Sequence, residues 1–262
     1  MQTSASPHGN TADPSVTGDT TKPCFPEGDS RQQLFNAGSI GTFREIQLNA
    51  DQIYKQTGIL FDLDPKYIKV SSLTPHAPLD PDAYYYSVAS KWMSRDPVLQ
   101  KLEVRASGTG LHAILWLQDP PQFDTDGLRE RWTGITQTVQ TALPSDPNAP
   151  HITASTRPIG SINSRNGATV KLLATGSPVT QEEVLKLYTD MERSPFKTVL
   201  RVLSGQEKVT PCPICMLPGS KLSAMDQKGK CYKCGTVELS ELLDSVMCTT
   251  VEINNKEIDD VK

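Results

Sequence analysis

Strand-length apolar runs interleaved with amphipathic helices, and two close cysteine pairs near the C-terminus, predict an α+β domain followed by a small metal-held module. The runs are Gly58-Ile-Leu-Phe-Asp-Leu63 and Leu111-His-Ala-Ile-Leu-Trp116. The clearest helix pattern is Leu128, Trp132, Ile135, Val139 and Leu143, spaced three or four apart. At 262 residues the chain is long enough for one substantial domain plus a small one.

Composition narrows the class. Hydrophobic residues make up 37% and charged residues 21%, a balance ordinary for a soluble protein. No apolar run approaches the roughly 20 residues that span a bilayer, so no membrane association is expected. The net charge of −4 means that a polyanion would have to be met by a local basic patch or by metal ions. The start, Met1-Gln-Thr-Ser-Ala-Ser-Pro7, lacks the basic and apolar stretches of a secretory signal. Four of the six cysteines fall in two pairs, which reads as metal binding in a reducing, cytoplasmic setting and not as a disulfide framework.

Residues 1–30 are rich in Ser, Thr, Pro, Gly and Asp, too poor in apolar groups to offset chain entropy, and read as a disordered tail in which Cys24 is incidental. Structure is expected from about residue 31, with a first strand in Gly41–Leu48 using Phe43, Ile46 and Leu48. The next strand ends in Asp62-Leu-Asp64-Pro65. Alternation points both carboxylates to one face, and Pro65 ends the strand. Adjacent carboxylates repel unless a cation or proton lies between them, and oxygen ligands suit magnesium or manganese. A solvated strand end is the plainer reading.

A Pro-rich connection follows, with His76 as a loop residue. Asp82 can cap a helix over about 83–95, with Tyr85, Val88, Ala89, Trp92 and Met93 inward. Leu102–Arg105 reads as a short strand. In Ala106-Ser-Gly-Thr-Gly-Leu-His112, Gly108 and Gly110 make a tight turn that can offer backbone N–H groups to a phosphate. His112 opens the next strand on the face of Ile114 and Trp116; a packed core histidine and a phosphate ligand are equally good readings.

Asp126 can cap the long helix to about Leu143, with Arg129, Glu130 and Arg131 on its solvated side. Asp146, in Pro144-Ser-Asp-Pro-Asn-Ala-Pro150, is an ordinary turn residue or a third carboxylate completing a metal site. His151–Arg157 can be extended. Arg157-Pro-Ile-Gly-Ser-Ile-Asn-Ser-Arg-Asn-Gly167 and the strand Thr169–Thr175 then form a hairpin. Arg157, Arg165 and Lys171 give it charge suited to an anion, although a surface hairpin with scattered basic residues has the same composition. Thr180-Gln-Glu-Glu183 is a capping box opening a helix to about Arg193, and 194–210 is a connector, partly helical.

Cys212-Pro-Ile-Cys215 and Cys231-Tyr-Lys-Cys234 have the C-x2-C-x15-C-x2-C spacing of a structural zinc site, with four thiolates closing a tetrahedron. A redox dithiol pair would need a βαβ surround that is missing. Such a short ribbon has little core, so zinc should supply much of its folding free energy. Lys221, Lys228, Lys230 and Lys233 give it a route to nucleic acid; docking to a partner is the other use.

Together these pieces resemble the archaeo-eukaryotic primase superfamily, in particular the bifunctional primase–polymerases of plasmids, viruses and mobile elements. Phe61-Asp-Leu-Asp64 looks like the family's acidic strand, and Ser107-Gly-Thr-Gly-Leu-His112 like its strand with a small residue and a histidine. Arg157-Pro-Ile-Gly-Ser-Ile-Asn163, with Gly167 and Lys171, looks like its Arg-x-Pro-Gly stretch, with the proline moved. The resemblance covers about residues 31–180. It implies a primase-type catalytic domain with an RRM-like sheet, in which Asp62, Asp64 and Asp146 bind two catalytic Mg2+ or Mn2+ ions. Asp124 and Asp126 are alternatives for the third ligand. His112, with the Ser107–Gly110 turn, would contact the nucleotide phosphates, and Arg157, Arg165 and Lys171 would hold triphosphate or template.

The expected organisation is a tail (1–30), a catalytic domain (31–200), a zinc ribbon (208–247) and a flexible end (248–262). The expected function is DNA primase and polymerase activity, two-metal nucleotidyl transfer from nucleoside triphosphates on single-stranded DNA. No P-loop is present, so a helicase would be a separate partner. The alternatives are a catalytically inactive primase-like nucleic-acid-binding protein and a metal-dependent nuclease.

Overall fold

The computed structural model describes residues 50–75 and 80–248, together with the backbone of 41–43. The readings of the two tails, Cys24, Ile46, Leu48 and His76 fall outside the described residues. A two-stranded ribbon, β1 (Gly41–Phe43) with β2 (Ile53–Gln56), leads into the central sheet; β2 had no separate place in the sequence reading.

The central sheet is antiparallel, in the order β3 (Gly58–Leu63), β5 (Leu111–Trp116), β4 (Glu103–Ala106) and β6 (Lys171–Ala174). Its register decides which side chains share a face. Ile59, Phe61 and Leu63 lie opposite Leu115, Ala113 and Leu111, and Val104 continues the Ala113 row. All of these belong to the main core. The other parity makes a different surface: Leu60, Ile114 and Trp116 form a small second cluster with Ala154, and beside them stand Asp62, His112 and Arg105. One face therefore holds the helices and the other is free for chemistry.

Helix α1 runs through Pro81–Tyr84, a π-helical stretch Tyr85–Ala89 and Ser90–Met93. Its cap is Asp80, whose carboxylate accepts from Ala83 N–H at 2.8 Å, and not Asp82; Pro81 fills the first position, where a missing N–H costs nothing. The π stretch shifts the phase, so Tyr84, and not Tyr85, is the fully buried tyrosine. Helix α2 (Asp126–Gln140) is also capped earlier than expected, by Thr125 and not Asp126. Helix α3 (Gln181–Arg193) opens with the Thr180–Glu183 capping box. The 194–210 connector contains α4 (Pro195–Ser204), with Phe196, Val199, Leu200, Val202 and Leu203 buried.

A second four-stranded antiparallel sheet carries the cysteines: β7 (Lys208–Val209), β8 (Leu222–Ala224), β9 (Gly229–Cys231) and β10 (Gly235–Val237). Its buried Leu222, Cys231 and Val237 belong to the same core as α4. Helix α5 (Leu239–Asp244) follows, and the chain then returns to the turn after Asp64: Val246 C=O accepts from Lys69 N–H at 2.9 Å, and Cys248 N–H donates to Tyr67 C=O at 2.6 Å. No helix among the described residues is long and apolar enough to cross a membrane.

Candidate active site and metal centre

Asp62 on β3, His112 on β5 and Arg105 on β4 are in cross-strand register, so three chemically active side chains stand in one row on the open face. β3 is an edge strand, and an edge leaves N–H and C=O groups that need partners. Here the partners are specific. Gln140 Nε2 donates to Leu60 C=O at 2.7 Å. Asp62 N–H donates to Ser145 Oγ at 3.0 Å, and Asp146 N–H donates to Asp62 C=O at 2.9 Å. The 144–148 loop is thereby laced onto the edge at Asp62, which brings Asp146 beside it.

The electrostatics agree with this clustering. The Asp62 carboxyl is pushed up to about 6, first by burial, then by the charges of Asp146 and Asp64; Lys66 and Arg157 pull the other way. Asp64 caps the turn Pro65–Tyr67, accepting from Lys66 N–H at 3.0 Å, and pairs with Lys66 Nζ at 3.0 Å. Asp146 Oδ1 accepts from Asn148 N–H at 2.8 Å. A carboxylate offers about four acceptor positions, so each keeps room for a cation. The Tyr84 hydroxyl is buried with no hydrogen-bond partner among the described residues, and burial followed by the Asp64 charge holds it protonated.

His112 Nδ1 lies 2.8 Å from Thr156 Oγ1. Burial, then Arg157 and Arg105, push the imidazole down to about 4, so it is neutral at pH 7. In the tautomer in which Thr156 Oγ1 donates to Nδ1, the hydrogen sits on Nε2, where it would be available to an anion. Arg157 is partly buried and has no ion pair among the described residues, while its charge acts on both Asp62 and His112. Arg105 holds it in place: Nη1 donates to Arg157 C=O at 3.0 Å, Nε and Nη2 grip Glu103 Oε1 at 2.7 and 2.6 Å, and the guanidinium lies 5.9 Å from the Trp116 ring centre.

The glycine turn is closed by its own atoms. The Ser107 hydroxyl, buried, donates to Gly110 C=O at 3.1 Å, and Asn163 Nδ2 donates to Ser107 C=O at 2.9 Å. A Cβ on Gly108, at φ +125°, would meet Asn163 Nδ2 at 2.3 Å; one on Gly110 would lie 2.9 Å from Leu63 C=O and 3.3 Å from Asp64 Cα. The two glycines thus let the turn touch the arginine hairpin on one side and the Asp64 strand end on the other. Gly108→Ala should cost about 1–3 kcal/mol in urea unfolding, because both the backbone angle and the Asn163 contact are lost.

The structure gathers Asp62, Asp64, Asp146, His112 and Arg157. It does not gather Lys171, which is in register with Ala106 in the row of Leu63 and Leu111 and has Nζ 3.7 Å from Asp82. A register shift between Val104 and Arg105 sets that pairing. Arg165 is exposed in the hairpin loop, and the alternatives Asp124 and Asp126 are exposed, Asp126 pairing with Arg129. Arg105, Ser145 and Thr156 escaped the sequence reading. A signal for Arg105 existed: Glu103-Val-Arg105 puts an acid and a base on one strand face.

Cys212, Cys215, Cys231 and Cys234 bring their sulfurs within 4.8 Å of one another, with Cys212 and Cys234 3.7 Å apart. All four are free thiols. Hydrogen bonds from Ser220 and the Leu217 backbone lower the Cys215 thiol to about 6, towards the thiolate that a metal needs. Four thiolates can hold zinc in a closed tetrahedron. The purified protein should carry about one zinc per chain by elemental analysis. Cys212→Ser should lose it and several kcal/mol of stability, read by thermal unfolding, since this cysteine also lies in the shared core.

No family model and no curated protein matches the sequence. Among solved structures, the chain is similar to the AEP domain (PP-N190) of the cyanophage S-2L primase-polymerase, PrimPol. The identity is 13% and the TM-score 0.41, over 57% of this chain and 68% of that one. At that distance, what the chain does has to be read from its own side chains.

Proposed function

We propose that the chain is a nucleotidyltransferase of the primase–polymerase type, joining nucleoside triphosphates on a single-stranded DNA template. The observation that carries this is the lacing of Ser145 and Asp146 onto the β3 edge, which sets a third carboxylate beside Asp62 while His112 stands in register on the next strand. Three carboxylates next to a neutral imidazole and a guanidinium with no ion pair among the described residues suit a cation–triphosphate complex: the acids would meet the cations, and His112 and Arg157 the phosphate oxygens.

The fit to divalent cations can be judged from the donors. All three are hard oxygen ligands, and the Asp62 pKa is raised first by burial and then by the neighbouring charges of Asp146 and Asp64. Among the described residues only the four cysteines have ligand atoms all within 4.8 Å, so the acidic set is more open. That openness would suit two divalent ions better than one ion ringed by three acids. Asp62, Asp64 and Asp146 would hold Mg2+ or Mn2+, which when bound supplies an acidified hydroxyl and neutralised phosphate charge. The remaining work belongs to the chain: His112 donates from Nε2, Arg157 pairs with phosphate oxygens, and Arg105 keeps Arg157 in position. Zinc in the cysteine module would serve structure.

The test is primer synthesis on single-stranded DNA with labelled nucleotides and Mg2+ or Mn2+, comparing the wild type with Asp62→Ala/Asp64→Ala. Product from the wild type alone is expected. No product from folded, zinc-loaded wild type would overturn the proposal, and metal-dependent cleavage of the template without nucleotides would replace it with a nuclease.

A further inference from the structure

Behind the loop that carries Asp146 lies a cavity of about 340 Å³, a volume in the range of small-molecule sites. It exists because the chain after α5 returns to the Tyr67 turn, so that α5 closes over the end of α2 and the 144–148 loop. Its walls are mainly apolar, with Leu143, Pro144, Pro147, Leu243 and Met247 among them.

Among the described residues the charges around it have one sign: Asp146 and Asp244 both border the cavity, and no described lysine or arginine does. His151 also borders it; burial lowers its pKa and its Nδ1 lies 2.6 Å from Gln140 Oε1, so it adds no positive charge at pH 7. Asp244 is the last residue of α5, where outward carbonyls disfavour a carboxylate, and it has no ion pair among the described residues. Asp146 likewise has no cationic partner there, only Asn148. The exposed Asp244 carboxylate, at the C-terminal end of α5 and on the rim of apolar walls, complements a ligand that is positive at one end and apolar at the other.

We propose that this cavity is a binding site for a small organic cation with an apolar body, anchored by Asp244. The Asp244 carboxylate disfavours a phosphate-bearing ligand here, and Asp146 stands between this cavity and the face of Asp62 and His112. The cavity would bind its cation whether or not the chain transfers nucleotides.

The full-length protein with 13C-methyl methionine would be titrated with benzyltrimethylammonium, benzyl alcohol and phenylacetate, and the Met247 methyl signal, assigned through Met247→Leu, followed. Benzyltrimethylammonium should give a saturable shift, binding roughly threefold to fivefold tighter than benzyl alcohol, with phenylacetate weakest. Asp244→Asn, a surface change that leaves packing alone, should remove the preference for the cation. Ser240→Trp, at the exposed rim, should abolish the shift. No shift in the wild type, equal or tighter binding of phenylacetate or benzyl alcohol, or an unaltered cation preference in Asp244→Asn would each overturn the proposal.

Discussion

Asp62→Asn should stop nucleotidyl transfer and, in the absence of divalent cations, stabilise the protein. The activity loss should be about a thousandfold or more, equivalent to roughly 4 kcal/mol of lost transition-state stabilisation. The stability gain follows from the same charges. Asp62 has a folded pKa of about 6 against an ordinary 3.8, with burial, Asp146 and Asp64 as the causes. Between those values the folded state holds a proton that the unfolded chain releases. Stability from this group is therefore present below 3.8 and is lost as the pH rises towards 6. At pH 7.5 the ionised carboxylate costs on the order of 2 kcal/mol, which asparagine does not incur. In EDTA the variant should unfold at a higher temperature than the wild type, with the gap shrinking as the pH falls towards about 4. Mn2+ should reverse the order, because it binds the folded wild type alone. A variant less stable than the wild type at pH 7.5 in EDTA would mean that the three carboxylates do not share one site.

What strand alternation sets was legible in the sequence. Asp62 and His112 share a face because a period of two leaves no choice once the strands are recognised, whereas β3 ends at Leu63, one residue before Asp64. Alternation does not say which residue stands opposite which, so the Asp62–His112–Arg105 row became visible only with the register. Asp146 was nameable but not placeable, since hydrogen bonds from a structureless loop to a strand edge leave no periodic trace. The place of Lys171, away from Asp62, was hidden for a related reason: one irregularity between Val104 and Arg105 fixes which parity of β6 meets which face, and no side chain announces it. The helix errors were small and local. Two aspartates flank Pro81, and either makes a plausible cap until the Ala83 N–H is seen to choose Asp80. The cysteine spacing was fully legible, but its setting was not, because the packing of α4 against β8 and β9 makes the module part of the main core.

Arg105→Ala should be among the most destabilising single changes in the chain and should disable the site without touching an acidic residue. Arg105 is 2% exposed and meets Glu103, the Arg157 carbonyl and the Trp116 ring at once. Removing one member of a buried pair strands the other, so Glu103 and the Arg157 carbonyl lose their partner, at a cost of about 3–5 kcal/mol in urea unfolding. Two further variants separate folding from function. Glu103→Leu/Arg105→Met removes both charges and should recover most of the stability, yet leaves Arg157 untethered, so activity should stay low. Arg105→Lys keeps the charge but not the planar fork that reaches Glu103 and the Arg157 carbonyl together. It should fold, and it should raise the nucleotide KM roughly tenfold, about 1.4 kcal/mol, with a smaller change in kcat, because Arg157 is loosened before the nucleotide arrives while the carboxylates are left in place. A Lys variant with wild-type KM would show that the buried pair serves the sheet alone and that Arg157 finds its position without it.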